Sequence, residues 1–267
     1  MSQLEEPGRP ADSSDAADPF EGARSVLFVH AHPDDETLSS GGVILRLVER
    51  GVRVTLLTAT RGERGGIVPE LRERVGDDPD VLTGIRLDEL RRAVHALGIA
   101  DAYFLGEPPA RADGLPPRRY SDSGMRWVTP TVAGPVDDAP AEALTLAPEP
   151  EVVADVLALI RHSRPDVVVS YDDQGGYGHP DHRCIRRAAL LASGAADVPF
   201  VELVAPDAPG AFVVDVSDRL DAVADALRAH ATQLTVDGDH VVHCGGQREP
   251  IATVVGVRLV PSTTSSP

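Results

Sequence analysis

From Arg24 to His30 the chain is an unbroken apolar run, the pattern of a strand buried on both faces. Leu38 to Arg50 reads as a helix closed by Gly51. Val52 to Thr60 reads as a second strand, Thr83 to Leu97 as an amphipathic helix stopped by Gly98, and Ala102 to Leu105 as a short third strand. A helix over Glu149 to Arg164 ends before Pro165, and Asp166 to Tyr171 is again an apolar strand. A helix is expected over Pro180 to Ser193, a strand over Ala211 to Val216, a helix over Ser217 to Ala231 capped by Ser217, and a last strand over Val254 to Val260. Strands alternating with helices predict an α/β fold with a Rossmann-like, mostly parallel sheet flanked by helices. The stretch from Gly106 to Pro148, dense in Pro, Gly and Asp, breaks this alternation. It predicts a long inserted loop region with a functional role, because such insertions are more often functional than idle. With a small C-terminal part it completes a single domain over residues 23–260. Residues 1–22 and 261–267 read as a disordered arm and tail.

Composition narrows the chemistry. Hydrophobic residues make up 42% of the 267 positions but aromatics only 4%, so the core must be built from Val, Leu, Ile and Ala. A net charge of −17 argues against nucleic acid and against an anionic membrane surface, and favours a neutral or cationic small molecule. All basic residues are Arg, which excludes Schiff-base lysine chemistry and a P-loop lysine. Cys184 and Cys244 make no disulfide framework. With no apolar stretch long enough to span a bilayer and no signal-peptide pattern, a soluble, cytoplasmic protein is expected. A homo-oligomer is compatible with these features.

The chemistry-bearing residues gather at the ends of two apolar strands, where open α/β sheets bind ligands. His32-Pro33-Asp34-Asp35-Glu36 follows the first, and Tyr171 to His182, "YDDQGGYGHPDH", follows Asp166 to Tyr171. Pro33 and Pro180 each fall just inside the following helix, where a missing N–H costs least. His32 and Asp35 are three apart, as are His179 and His182, which brings side chains onto one face of a first turn. Two histidines and a carboxylate with one position open to water make a catalytic zinc arrangement. A bound ion also resolves the clustering of like charge, and leaves a neighbouring carboxylate free to act as general base.

These motifs, "AHPDDE" (Ala31 to Glu36) and "GHPDH" (Gly178 to His182), resemble those of the LmbE-like, PIG-L group of metal-dependent de-N-acetylases, over roughly residues 24 to 260. The resemblance implies metal ligands at His32, Asp35 and His182, and Asp34 as general base acting on water at the ion. It implies that His179 stabilises the oxyanion or protonates the leaving amine, and that Asp181 orients a histidine. Zinc is the implied cofactor, with iron(II) as the alternative. "RLDEL" (Arg86 to Leu90), "DSGM" (Asp122 to Met125), "QGGYGHPDH" and "AHATQ" (Ala229 to Gln233) look like the N-acetylglucosaminyl-inositol deacetylase type of mycothiol biosynthesis. That likeness implies that Arg86 and Asp122 bind substrate hydroxyls, that Ser39 and Met125 line the pocket, and that Tyr177 helps polarise the amide. The substrate expected is therefore an N-acetylglucosamine-type amino sugar. Mycothiol-conjugate amidases and deacetylases of sugars on secondary metabolites share the scaffold, and a non-catalytic sugar-binding protein is the alternative of a different class.

Other polar residues receive structural readings. His30 and Cys184 are read as structural, and His95, His162, His240 and His243 as surface residues. Glu36 is expected to orient a ligand or to cap, and Glu63 to border the site.

Overall fold

The computed structural model describes residues 16–76 and 78–261. The expected arm over 1–15 and tail over 262–267 lie outside these. The remainder of the expected arm, residues 16–22, is packed rather than free, because Phe20 is an aromatic side chain buried in the core and Asp18 pairs with Arg50.

β1 (Ser25–His30) leads through α1 (Asp35–Leu38) and α2 (Gly41–Glu49) to β2 (Arg53–Thr58), and α3 (Arg72–Val75) and α4 (Pro79–Leu97) precede β3 (Asp101–Phe104). The inserted region contributes the hairpin of β4 (Arg126–Thr129) and β5 (Val132–Gly134). α5 (Glu149–Ser163), β6 (Val167–Tyr171), α6 (Pro180–Ala196) and β7 (Phe200–Val204) resume the alternation, followed by β8 (Phe212–Asp215) and α7 (Leu220–Leu227). A meander of β9 (Leu234–Asp237), β10 (His240–His243) and β11 (Arg248–Pro250) precedes the last strand, β12 (Val254–Val260).

The central sheet has seven strands in the order β3-β2-β1-β6-β7-β12-β8. β3, β2, β1, β6 and β7 run parallel, and β12 joins antiparallel to both neighbours. Alternate residues of β1 enter opposite layers, as strand geometry requires. Val26 and Phe28 pack with Ile44, Leu47 and Leu227, while Leu27 and Val29 pack with Val156, Leu159 and Ile185. β1 lies between β2 and β6, so strand order reverses there, and the crevice at the carboxyl ends of β1 and β6 is the topological switch point.

Several expected elements take different bounds. The helix expected over Leu38 to Arg50 is interrupted at Ser39 and Ser40, because His30 Nε2 bonds Ser40 Oγ, which in turn donates to the Glu36 carbonyl. Pro33 does not lie inside a helix: Asp34 is the residue that precedes α1, so the proline stands one position earlier still. Pro180 does open its helix, with His179 as cap. Ser217 starts a short 3-10 turn instead of capping α7, and its own N–H is taken by Asp215 Oδ1. The inserted region is held firmly. Arg111 and Tyr120 both bond the buried Asp155 on α5, at 2.8 and 2.7 Å, and Ser121 bridges to Ala143.

Candidate metal centre and active site

The chain leaves β1 at His30 and folds back at once, so His32, Asp34 and Asp35 sit at the strand's carboxyl end. α6 begins beside it and brings His179, Asp181 and His182. Three donors converge. His32 Nδ1 lies 3.3 Å from Asp35 Oδ2, His182 Nε2 lies 3.3 Å from Asp35 Oδ1, and the two ring nitrogens are 3.3 Å apart. A tetrahedral ion with bonds of about 2.0–2.1 Å has ligand–ligand edges of about 3.3 Å, so the two ring nitrogens stand at the spacing of a catalytic zinc-type site, with one Asp35 oxygen beside each of them as the third donor. His179 offers a further nitrogen within 4.8 Å of the other two histidines.

Each donor is oriented from behind. His32 Nε2 bonds Asp181 Oδ2 at 3.2 Å, and Asp181 in turn accepts from the Ser123 amide at 2.9 Å. His182 Nδ1 faces the Gly175 carbonyl at 3.3 Å, which leaves Nε2 for the ion. Asp35 is held by the Tyr171 hydroxyl at 2.7 Å, and that hydroxyl also accepts from the Ala31 N–H at 2.8 Å. The Tyr171 ring stacks on His182 with centroids 4.1 Å apart. Burial and the nearby Asp35 charge keep this phenol protonated, well above its ordinary range, so it donates to the carboxylate. Supporting groups of this kind fix metal ligands. Replacing Tyr171 by Phe is therefore expected to weaken metal affinity by roughly 10–100-fold, read by chelator competition. Unchanged affinity in that variant removes the tyrosine from the support of the site.

Electrostatics also ask for a cation. Burial alone would neutralise His32, yet Asp122, Asp181 and Asp35 outweigh it and raise its pKa well above the ordinary value. Burial likewise opposes ionisation of Asp35, but His182 and His32 hold it far below the usual carboxylate range. Burial and then the Asp35 charge push Asp34 up to about 7. His179 is driven down to about 2 by burial and by its histidine neighbours, so its ring is neutral. Its Nδ1 accepts the Asp181 N–H at 3.1 Å, which puts the ring proton on Nε2 as a free donor.

Asp34 has a backbone that only local constraint explains, with φ at 118° in the left-handed half of the map. Such a conformation costs about 1–3 kcal/mol and persists where the surroundings over-determine it. Glu36 accepts the Asp34 N–H at 3.0 Å, the Asp34 carbonyl takes the N–H groups of Thr37 and Leu38, and Gln233 Nε2 binds the Pro33 carbonyl at 2.7 Å. Glu36 is in turn paired with buried His230 at 2.7 Å. Sequence reasoning missed Tyr171, His230 and Gln233 as parts of the site; "AHATQ" was the one signal pointing to the last two.

The remaining expected residues separate. Asp122 is buried, 3.8 Å from His32 Nε2, with its oxygens on the N–H groups of Arg64 and Gly124. Glu63 does border the site, since its carboxylate holds the Asp122 N–H at 3.1 Å. Ser39 and Met125 are half-buried, and Tyr177 is open, edge-on to His179 and His182. Arg86, expected to meet substrate hydroxyls, is fully buried. Its guanidinium donates to the carbonyls of Gly62, Gly65 and Gly66, because a buried cation needs acceptors, and it shapes that loop instead of facing open space. His240 and His243 are half-buried near the surface and pair with the exposed carboxylates of Asp239 and Glu249. His30 and Cys184 are bonded within the fold, to Ser40 and to the Leu144 carbonyl.

Comparison with known proteins fits this geometry. A family model described as PIG-L, GlcNAc-PI de-N-acetylase, matches residues 27–193. The chain is 36% identical to the 1D-myo-inositol 2-acetamido-2-deoxy-alpha-D-glucopyranoside deacetylase of Kineococcus radiotolerans, over 91% of this chain and 79% of that protein. To the protein of the same name from Geodermatophilus obscurus it is 39% identical, over 81% and 85%. The solved N,N'-diacetylchitobiose deacetylase of Pyrococcus horikoshii superposes with a TM-score of 0.56 at 22% identity, over 82% of this chain and 73% of that one, a likeness of fold.

Proposed function

The chain belongs to the PIG-L family of de-N-acetylases, and on that premise we propose that it hydrolyses the acetamide of N-acetylglucosaminyl-inositol. The observation that carries this reading is the convergence of His32, Asp35 and His182 beside a strained Asp34.

In this reading His32, Asp35 and His182 hold a divalent cation. The mixed nitrogen and oxygen donors favour zinc, with iron(II) as the alternative. When bound, such an ion activates water and polarises the amide carbonyl. Asp34, ionised, takes a proton from the attacking water as the new C–O bond forms. The neutral His179, with its proton on Nε2, donates a hydrogen bond to the oxyanion. Asp34 returns the proton it took from water to the nitrogen as the C–N bond breaks, giving acetate and the free amine. Tyr177 adds a second donor at the carbonyl. Asp181 keeps the His32 ring turned, and Ser39 and Met125 border the sugar. Asp122 and Arg86 act through the loops they hold. Among the described residues no helix is long and apolar enough to cross a membrane.

The deciding assay measures free amine released from N-acetylglucosaminyl-inositol, from a mycothiol-type conjugate and from an N-acetylglucosaminylated metabolite. The first is expected to have the highest kcat/KM, with activity lost on chelation and restored by zinc. Preference for either of the others, or activity indifferent to chelation, overturns the assignment.

A further inference from the structure

An acetamide delivered to His179 and His182 arrives beside an aromatic surface of which the mechanism uses only the Tyr177 hydroxyl. The Tyr177 ring stands edge-on to these histidines, with centroids 6.0 and 5.3 Å away. Next to Tyr177 lies Trp127, at 5.6 Å and tilted by 36°. Trp127 is 45% exposed and Tyr177 42%, and Val132 on the adjoining strand is open as well. Large aromatics left in water beside a site mark a contact surface more often than chance. This surface is also tied to the catalytic segment. The Ala133 N–H donates to the Tyr177 carbonyl at 2.8 Å. At Gly178, where φ is +91°, a Cβ would come within 3.1 Å of the Ala133 carbonyl. The hairpin of β4 and β5 therefore abuts the motif that carries His179.

We propose that Trp127, flanked by Val132, forms a subsite for the second ring of the substrate, the one joined to C1 of the acetamido sugar. The proposal rests on the deacetylase reading above. C1 neighbours the carbon that bears the acetamide, so with the amide at the metal ligands the C1 substituent begins one carbon from the reacting centre. Trp127 stands beside Tyr177, with ring centroids 5.6 Å apart. A polyhydroxylated ring presents a face of C–H groups and a rim of hydroxyls. The indole takes the face, while water and the polar rim take the hydroxyls, and a stiff side chain loses little entropy in doing so. The occupant is neutral, because an anion would meet the carboxylates of Asp34, Asp35, Asp122 and Asp181 in a chain of net charge −17. Trp127 thus sets specificity for what is attached to the sugar, not for the bond cleaved.

Trp127 is the single tryptophan of the chain, so its emission reports this surface alone. The zinc-loaded Asp34→Asn protein, chosen to prevent turnover, is titrated with N-acetylglucosaminyl-inositol and with methyl N-acetylglucosaminide, which lacks the second ring. A saturable emission change is expected with the first at a Kd roughly tenfold below that of the second. Calorimetry on the same background with Trp127→Ala should bring the two Kd values together, and Trp127→Phe should restore most of the difference. Equal affinities at the outset, or a Trp127→Ala variant that weakens both ligands alike, overturns the subsite and leaves Trp127 as a prop for Tyr177. A stronger response to octyl N-acetylglucosaminide than to the inositol glycoside also overturns it, in favour of an alkyl aglycone. Acetate release by the native chain is followed in parallel. Saturation without acetate release sinks the deacetylase reading but keeps the subsite, and acetate release without the affinity difference does the reverse.

Discussion

Replacing Asp34 by Asn is expected to lower kcat by about 10²–10⁴-fold, the range of a general base, while the purified protein keeps its full metal content. Asn is the right substitute because it tolerates a positive φ better than most residues, whereas Ala at φ 118° would add backbone strain to the chemical loss. Metal loss in the variant would make Asp34 a ligand, and a kcat within tenfold of the native value would remove it from the reaction. The pH profile is a second readout. Burial and the Asp35 charge hold the Asp34 carboxyl at about 7. The ionised form is the base, so kcat/KM rises as pH passes upward through that value. A bound cation stabilises the ionised form and pulls the limb lower, so in the loaded enzyme it lies at or below about 7. This limb should vanish in the Asn variant.

The second large effect is on stability. His230 and Glu36 form an ion pair 2.7 Å long with both side chains fully buried. Removing one member leaves a buried charge without compensation, at a cost of about 3–5 kcal/mol. His230→Leu should therefore lower Tm by roughly 6–20 °C, given about 2–4 °C per kcal/mol for a chain of this size. The double variant with Glu36→Leu removes the stranded charge and should recover much of the loss; a double variant no more stable than the single one refutes the ion-pair account. The pH dependence has two sides. Burial opposes the charge on His230 but Glu36 outweighs it and raises its pKa, so its contribution is complete below its ordinary 6.5 and is lost as pH rises through the raised value. Glu36, opposed by burial but lowered by His230, contributes above its ordinary 4.5 and loses this as pH falls through the lowered value. The pair stabilises most between those limits. Because Glu36 also accepts the Asp34 N–H, the same variant should lower kcat along with Tm.

The two acid and histidine clusters were legible in the sequence because chemistry at the end of a parallel strand leaves a local signature. His32 to Glu36 and His179 to His182 fall next to apolar runs and the helices that follow them. The strands β1, β2 and β6 announced themselves for the same reason, as buried runs rich in Val and Leu. Phe200–Val204 was not seen, since a short strand with Glu202 in its middle carries no apolar run. Glu202 is tolerated there because Arg186 and Arg258 pair with it from α6 and β12. The hairpin at Arg126–Gly134 was also missed, its first strand being exposed throughout and its second too short to set an alternation.

Sequence by itself determined the α/β class and marked the acids and histidines that we propose as ion ligands and base, because each depends on residue type and short spacing. Tertiary structure alone decided what surrounds them. It made Arg86 a buried clasp on three loop carbonyls, since only packing shows whether a cation has room to face out. It brought Tyr171 to Asp35 and His230 to Glu36 across 136 and 194 residues, distances over which no sequence periodicity extends. It also set Trp127 beside Tyr177, because the placement of an inserted hairpin follows from where its ends are anchored and not from its own composition.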